Sequence, residues 1–496
     1  MRQAKYTGML MALCCLLFSC RKDFTSINTD PGRPSTVTPG VILPQLEYRA
    51  VSSSISIARN FTHELMQVSA PRISSDGLGI HRYYINASNG SGFWNSMYGY
   101  MTDIYDIYNI ADKLNEPNYK AIALVYKSWA YSMLTDVFGN IPYSKAIDAA
   151  NKNFTPAFDN QKDIYTQILK DLSTANDLFD ATKALTYGGD VLYASNALSG
   201  STNPGIQNWK KLCNSLRLRL LLRLIKKDGE LDISSQITAI LADPAKYPVF
   251  TGTADDAIFK FTGIYPYYNP YYNARTLDWR QGDYYTHFFM DSLNKYNDPR
   301  RGVWATTVKV GGTPVYQGIN SGYPATESYN VDANSSYSDG LKTIPQLGIM
   351  MTYAEVEFIK AELELKGFTT GKTAKTHYEA GIGAAMTQWG VTLPAGYLTQ
   401  PGVAYNEAGT EDEQLQQIML QKYYALFFVD YQSWLEKRRT GYPILPRGTG
   451  IPAGNPFPSR IPYPTYLQTL NATNLAAAVQ AIGGNDNSSI KVWWDQ

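Results

Sequence analysis

The residue types best suited to covalent or metal chemistry are few here and badly spaced for it. His63, His81, His287 and His377 are the only histidines, and they do not cluster. His63-Glu64-Leu65-Met66-Gln67 opens like the HExxH helix of a zinc protease, but Gln67 stands where the second histidine ligand must be, so two-point coordination on one helix face fails. Gly367 to Thr373 is a phosphate loop one residue short, with no strand leading into it. Glu355 and Glu357, two apart on a helix, point to different sides and cannot flank one glycosidic bond. Their expected role is to pair buried arginines among Arg217, Arg219 and Arg223. No GxSxG nucleophile motif occurs. No catalytic residue, metal site or cofactor is expected.

Binding chemistry is better represented. Sugar rings stack their apolar faces on Tyr or Trp while Asn, Asp, Arg and Gln bond the hydroxyls, and the stretch from Tyr265 to Arg280 supplies both. Tyr267, Tyr268, Tyr271, Tyr272 and Trp279 form the expected platform; Asn269, Asn273, Asp278 and Arg280 form the expected polar contacts. The competing expectation is that these rings only pack the loop against the scaffold. A second candidate is the group His81, Tyr83, Tyr84, Phe93 and Trp94. Composition agrees with an uncharged ligand: 38 Tyr stand against 18 Phe, and 44 basic against 43 acidic residues, so nothing attracts nucleic acid.

The elements that must position these residues are mainly helices. Trp94, Met97, Tyr98, Met101, Ile104, Tyr105, Tyr108, Ala111 and Leu114 recur at helical spacing. A second helix follows Pro117, with a stripe from Ile122 to Val137, and stops at Gly139 and Pro142. Further helices are expected over about 159–179, 209–227, 349–366, 377–389 and 412–438. The run from Trp209 to Lys227 is apolar almost all round and must be buried, which obliges Arg217, Arg219 and Arg223 to find carboxylate or carbonyl partners. Between about Lys246 and Pro345 periodicity fades into Gly, Pro, Tyr and Asn, and a loop region that long is expected to be functional.

At the N-terminus, Arg2 and Lys5 precede an apolar run from Gly8 to Phe18, too short to span a membrane. Leu17-Phe18-Ser19-Cys20 has the pattern of a lipobox, so residues 1–19 are expected to be a lipoprotein signal peptide with Cys20 lipidated after cleavage. Removing Arg2 and Lys5 leaves 42 basic and 43 acidic residues. Residues 20–45 are expected to form a tether, with one large domain over 46–496. Lys22-Asp23 is similar to a surface-export signal. Cys213, the only cysteine beyond Cys20, allows no intramolecular disulfide in the body and is expected to be a small buried hydrophobe.

Several blocks resemble the SusD/RagB family of nutrient-binding outer-membrane lipoproteins, most closely the SusD-like branch. They are Tyr131 to Ser144 (YSMLTDVFGNIPYS), Trp209 to Leu224 (WKKLCNSLRLRLLLRL), Tyr353 to Glu362 (YAEVEFIKAE), Gln421 to Pro443 (QKYYALFFVDYQSWLEKRRTGYP), Arg460 to Pro464 (RIPYP), and the closing Gly483-Gly484 with Trp493-Trp494-Asp495. The resemblance implies a mainly α fold in which tetratricopeptide-like helix pairs frame an irregular loop-rich lobe. It also implies a non-catalytic lid that binds an oligosaccharide, or in some members a peptide, for a SusC-like TonB-dependent transporter at the outer membrane. An exported helical glycoside hydrolase is the third reading. No binding residue of the family maps here by motif, so the ligand contacts rest on this chain's own aromatics.

Overall fold

A computed structural model describes residues 37–496 apart from Gln281; the expected signal peptide, Cys20 and most of the tether lie outside the described residues. The folded unit runs from Pro39 to Gln496. It begins earlier than the boundary expected at 46, because helix α1 spans Pro39–Ile57. Proline at the first helical position suits its fixed φ. Leu43, Leu46, Ala50, Val51 and Ile55 bury the helix's inner face, while the Glu47 carboxylate accepts the Val191 and Leu192 N–H groups at 2.7 and 3.2 Å.

Four helices then stack in chain order: α2 (Ser88–Leu114), α3 (Pro117–Phe138), α4 (Gln161–Leu178) and α5 (Pro204–Arg223). α2 packs on α1 and α3, α3 on α4, and α4 on α5. A second group, α6 (Tyr353–Leu365), α7 (Ala374–Gln388) and α8 (Glu411–Ala425), packs mutually, and α6 also touches α5. Helix pairs therefore form the scaffold, as the amphipathic stripes required. Strands are short and antiparallel: β1 (Ser69–Pro71) pairs β3 (Asp283–Tyr285), β2 (Ala257–Phe259) pairs β6 (Gly348–Met351), and β4 (Val308–Val310) pairs β5 (Thr313–Val315). No helix among the described residues is long and apolar enough to cross a membrane.

Two expected helices are corrected. The run from Ile349 begins as strand β6, and the helix starts only after Thr352, whose hydroxyl accepts the Glu355 N–H at 3.3 Å as its N-cap. The helix expected over 412–438 is two, α8 and α9 (Gln432–Thr440), because Phe428 and Asp430 have φ of 64° and 22°. No glycine or proline marks the break. It is held from outside: Phe428 N–H donates to His63 Nε2 at 3.2 Å, Asp430 N–H to Ser54 Oγ at 3.2 Å, and Thr62 Oγ1 to the Asp430 carbonyl at 2.7 Å.

The buried arginines find partners as required. Arg219 grips Glu355 through two hydrogen bonds of 2.6 and 2.5 Å, and Arg223 donates to Asp136 at 2.6 Å and to Gln432 at 2.5 Å. Arg217 takes an amide instead, Gln236 Oε1 at 3.0 Å. Glu357 binds no arginine; its partners are His377 at 2.7 Å and Lys360 at 3.4 Å. Cys213 is buried, and burial pushes its thiol up to about 12.

Candidate ligand-binding site

The exit of α1 shapes the site. After Ile57 the helix widens into one π-turn, Ala58–Thr62, a distortion that inserts an extra residue and re-aims the side chains around it. Arg59 turns inward to Asp283 at 2.8 Å and the Trp279 carbonyl at 3.1 Å, with its guanidinium 4.9 Å from the Trp279 ring. Asn60 turns outward, and its amide reaches the Tyr271 hydroxyl at 3.3 Å. Glu64 follows one turn on.

Glu64 lies in the wall of a 620 Å³ cleft that also takes in Pro71, Ile73, Ser74, Asp76, Leu78, Tyr84, Asn86 and Asn89. The segment from Ile73 to Ile80 forms its rim. Asp76 holds that rim in a turn by accepting the Leu78 N–H at 2.9 Å, and Arg82, buried behind it, donates to the Ser74 carbonyl at 2.8 Å and the Tyr323 carbonyl at 2.7 Å. Glu64 Oε1 accepts the His81 N–H at 2.9 Å. Burial pushes the Glu64 carboxyl up to about 7, against the opposing pull of its backbone hydrogen bond to His81. The wall offers hydroxyls, amides, one tyrosine ring and two carboxyl groups, and none of its side chains is Lys or Arg.

A second cleft, of 430 Å³, adjoins the first through Asn89 and lies between α1 and α2. A third, of 250 Å³, is bounded by Gln67, His287, Phe288, Ser321, Tyr323 and Arg447.

The residues singled out from sequence are divided by the structure. Trp279 is 1 % exposed and its indole N–H donates to the Ser338 carbonyl at 3.0 Å. Asn269 is 2 % exposed; it donates to the Leu341 carbonyl at 3.0 Å and accepts the Tyr271 N–H at 2.9 Å. Both are structural parts of the loop. Tyr267 packs its ring on Tyr48 and Phe259, with centroids 5.8 and 5.5 Å away. Tyr271 is half-buried, 5.0 Å from the Trp279 ring. Tyr268 and Tyr272 face each other at 4.8 Å on the outer side of the loop, and Asn273 is exposed beside them. Asp278 is tied to Arg275 at 2.7 and 2.8 Å, which holds its carboxyl below the usual range, and Arg280 pairs with Asp339.

Of the second group, Tyr84 lines the first cleft and Phe93 the second. His81 and Trp94 are buried, and His81 is pushed down to about 3 by burial and the Arg82 charge. His63 is buried against Tyr337 at 2.8 Å, with burial lowering it well below the usual histidine value. The fragment of a zinc motif is therefore a packing element. Gly367 to Thr373 forms the turn between α6 and α7, with Gly367 and Gly371 at φ of 83° and 88°. Sequence reasoning missed Glu64, Asp76 and Asn86–Asn89, whose one visible signal was the turn-forming run Ser74-Ser75-Asp76-Gly77.

A family model named SusD-like and described as starch-binding and associating with the outer membrane matches residues 31–464. The chain is similar in structure to a SusD homologue from Bacteroides fragilis, with TM-score 0.76 at 26% identity, covering 93% of this chain and 100% of the other. A second homologue from that organism gives TM-score 0.79 at 23% identity, with coverage of 93% and 100%. A chitin-binding SusD homologue from Flavobacterium johnsoniae gives 0.77 at 24% identity, with coverage of 92% and 98%. No curated protein matches the chain in sequence.

Proposed function

Because the chain belongs to the SusD-like family, we propose that it is a lipid-anchored cell-surface protein that holds an oligosaccharide in the 620 Å³ cleft and passes it uncleaved to a SusC-like TonB-dependent transporter. A carbohydrate-binding, nutrient-associated role at the outer membrane comes with the family. The anchor at Cys20, the outward orientation and the transporter partner are the finer parts of the proposal.

The observation that carries the glycan reading is the character of the cleft wall: Ser74, Ser75, Asn86 and Asn89 offer neutral hydrogen-bonding groups beside the Tyr84 ring. A neutral polyol needs such donors, acceptors and a ring face. A peptide's carboxylates would find no cationic side chain in that wall. The pair of half-buried Tyr268 and exposed Tyr272 is a second place for a sugar ring to stack.

Tyr84→Ala should weaken glycan binding about tenfold, the equivalent of about 1.4 kcal/mol, with thermal stability nearly unchanged. Unchanged binding of every glycan that the protein takes up would sink the assignment of this cleft. The cleft also holds two carboxyl groups, Glu64 and Asp76, so the hydrolase reading has its own test. Release of reducing ends that disappears in Glu64→Gln would establish catalysis.

A further inference from the structure

The second cleft is built from two matching helix faces. α1 and the π-turn contribute Arg49, Ser52, Ser53, Ser56, Ile57, Asn60 and Phe61; α2 contributes Asn89, Gly92, Phe93, Ser96 and Tyr100, and Tyr431 adds a ring. Both sets recur at three- and four-residue spacing, the pattern of one helix face. The two stripes therefore run along a trough. From Arg49 to Asn60 it is about 16 Å long at 1.5 Å rise per residue.

Its ends are defined. At one end Asn89 belongs to both clefts; its carboxamide oxygen accepts the Asn86 N–H at 2.8 Å, which leaves its NH₂ for whatever lies in the joint. At that same end Asn60 bonds the hydroxyl of Tyr271 in the aromatic loop at 3.3 Å, because the two helices run antiparallel, with Phe61 and Phe93 meeting at Tyr431. Arg49 and Tyr100 close the far end. Arg49 contributes no free charge, because Asp103 holds it at 2.7 Å and it lies flat over Tyr100 at 4.6 Å.

Gly92 is the telling residue. Glycine inside a helix destabilises it relative to alanine, so packing usually explains it. Packing does explain Gly90, where an added Cβ would come within 2.8 Å of Phe138 and Ile461 side chains. At Gly92 an added Cβ would meet nothing within 4 Å. No packing contact requires the glycine there, and its bare backbone leaves the trough open.

We propose that the trough between α1 and α2 is a second subsite for the same ligand, so that the protein selects a linear, uncharged glycan chain long enough to cross Asn89 from one cleft to the other. The inference rests on the first cleft being the glycan site. Hydroxyls of Ser56 and Ser96 and the Asn60 amide would bond the chain along its length, and the Asn89 NH₂ would hold it at the crossing.

The test is calorimetry with two ladders from disaccharide to octasaccharide, β-1,4-linked N-acetylglucosamine and α-1,4-linked glucose, on the wild type, Gly92→Phe, Ser96→Phe, Gly92→Ala and Tyr84→Ala. One ladder should tighten with length in the wild type. Either Phe substitution fills the trough and should cut binding of the longest oligomers about tenfold, down to the short-oligomer value, while the short ones stay unchanged. Gly92→Ala, which adds one methyl to the same wall, should weaken the longest oligomers less than Gly92→Phe does. An unchanged length dependence in both Phe variants overturns the inference alone, provided Tyr84→Ala weakens every length. If Tyr84→Ala changes nothing, or neither ladder binds the wild type, the first cleft falls as well.

Discussion

Replacing Glu64 by Gln removes a titrating group from the cleft wall while keeping the oxygen that accepts the His81 N–H. In the folded chain the carboxyl keeps its proton up to about pH 7, against an ordinary value of 4.5, whereas the unfolded chain releases it near 4.5. Stability tied to this group is therefore whole below pH 4.5 and is lost as pH rises through 7. The two values differ by about 2.5 pH units, and each is equivalent to about 1.36 kcal/mol, so the ceiling is about 3 kcal/mol. The cleft is open to water, which screens the charge and reduces the expected effect to about 1–2 kcal/mol. Urea unfolding of the wild type and Glu64→Gln at pH 5 and pH 8.5 reads it directly. The two proteins should be nearly equal at pH 5, with the Gln variant the more stable by about 1–2 kcal/mol at pH 8.5. A difference that is the same at both pH values would refute the reasoning, because it would mean that Glu64 ionises in the fold as it does in water.

Trp279→Ala should cost about 3–5 kcal/mol in chemical denaturation, since the ring is buried against Arg59, Tyr271 and Tyr337, whereas Tyr272→Ala on the outer side of the loop should stay within about 0.5 kcal/mol. Glu355→Ala leaves Arg219 buried without its carboxylate and should cost about 3–5 kcal/mol, measured as a lowered urea midpoint at constant slope. Gly92→Ala should stabilise by up to about 1 kcal/mol, and a loss in its thermal melt would contradict the open space above that glycine.

The helices were legible because their apolar spacing was. The stripe from Trp94 to Leu114 lies within α2, and the alternating leucines and arginines of α5 are buried as a helix with Arg219 and Arg223 carboxylate-bound. The break between α8 and α9 was not legible: Leu426 to Val429 is apolar, the segment through Tyr431 lacks glycine and proline, and the contacts that hold it come from Ser54, Thr62 and His63, more than 360 residues away in sequence. β6 was hidden for a related reason, since Ile349 to Met351 is an apolar run that a helix or a strand could equally bury. In the aromatic loop, composition marks a surface rich in rings but does not say which ring turns inward. Arg59 decides that by drawing Trp279 and Tyr271 against itself, and Tyr268 and Tyr272 are left outside. The trough escaped notice because the residues along its middle are small. Ser52, Ser53, Ser56, Gly92 and Ser96 carry no hydrophobic signal, and only the assembled pair α1 and α2 shows that they face one another.

The central claim is capture of a glycan without cleavage, and the most direct measurement is binding of the purified protein to a panel of plant, host and microbial glycans and a peptide mixture, with reducing ends assayed in the same samples. The account predicts binding of one class of neutral glycan and no release of reducing ends. Binding confined to peptides, or cleavage of the bound glycan, would contradict it.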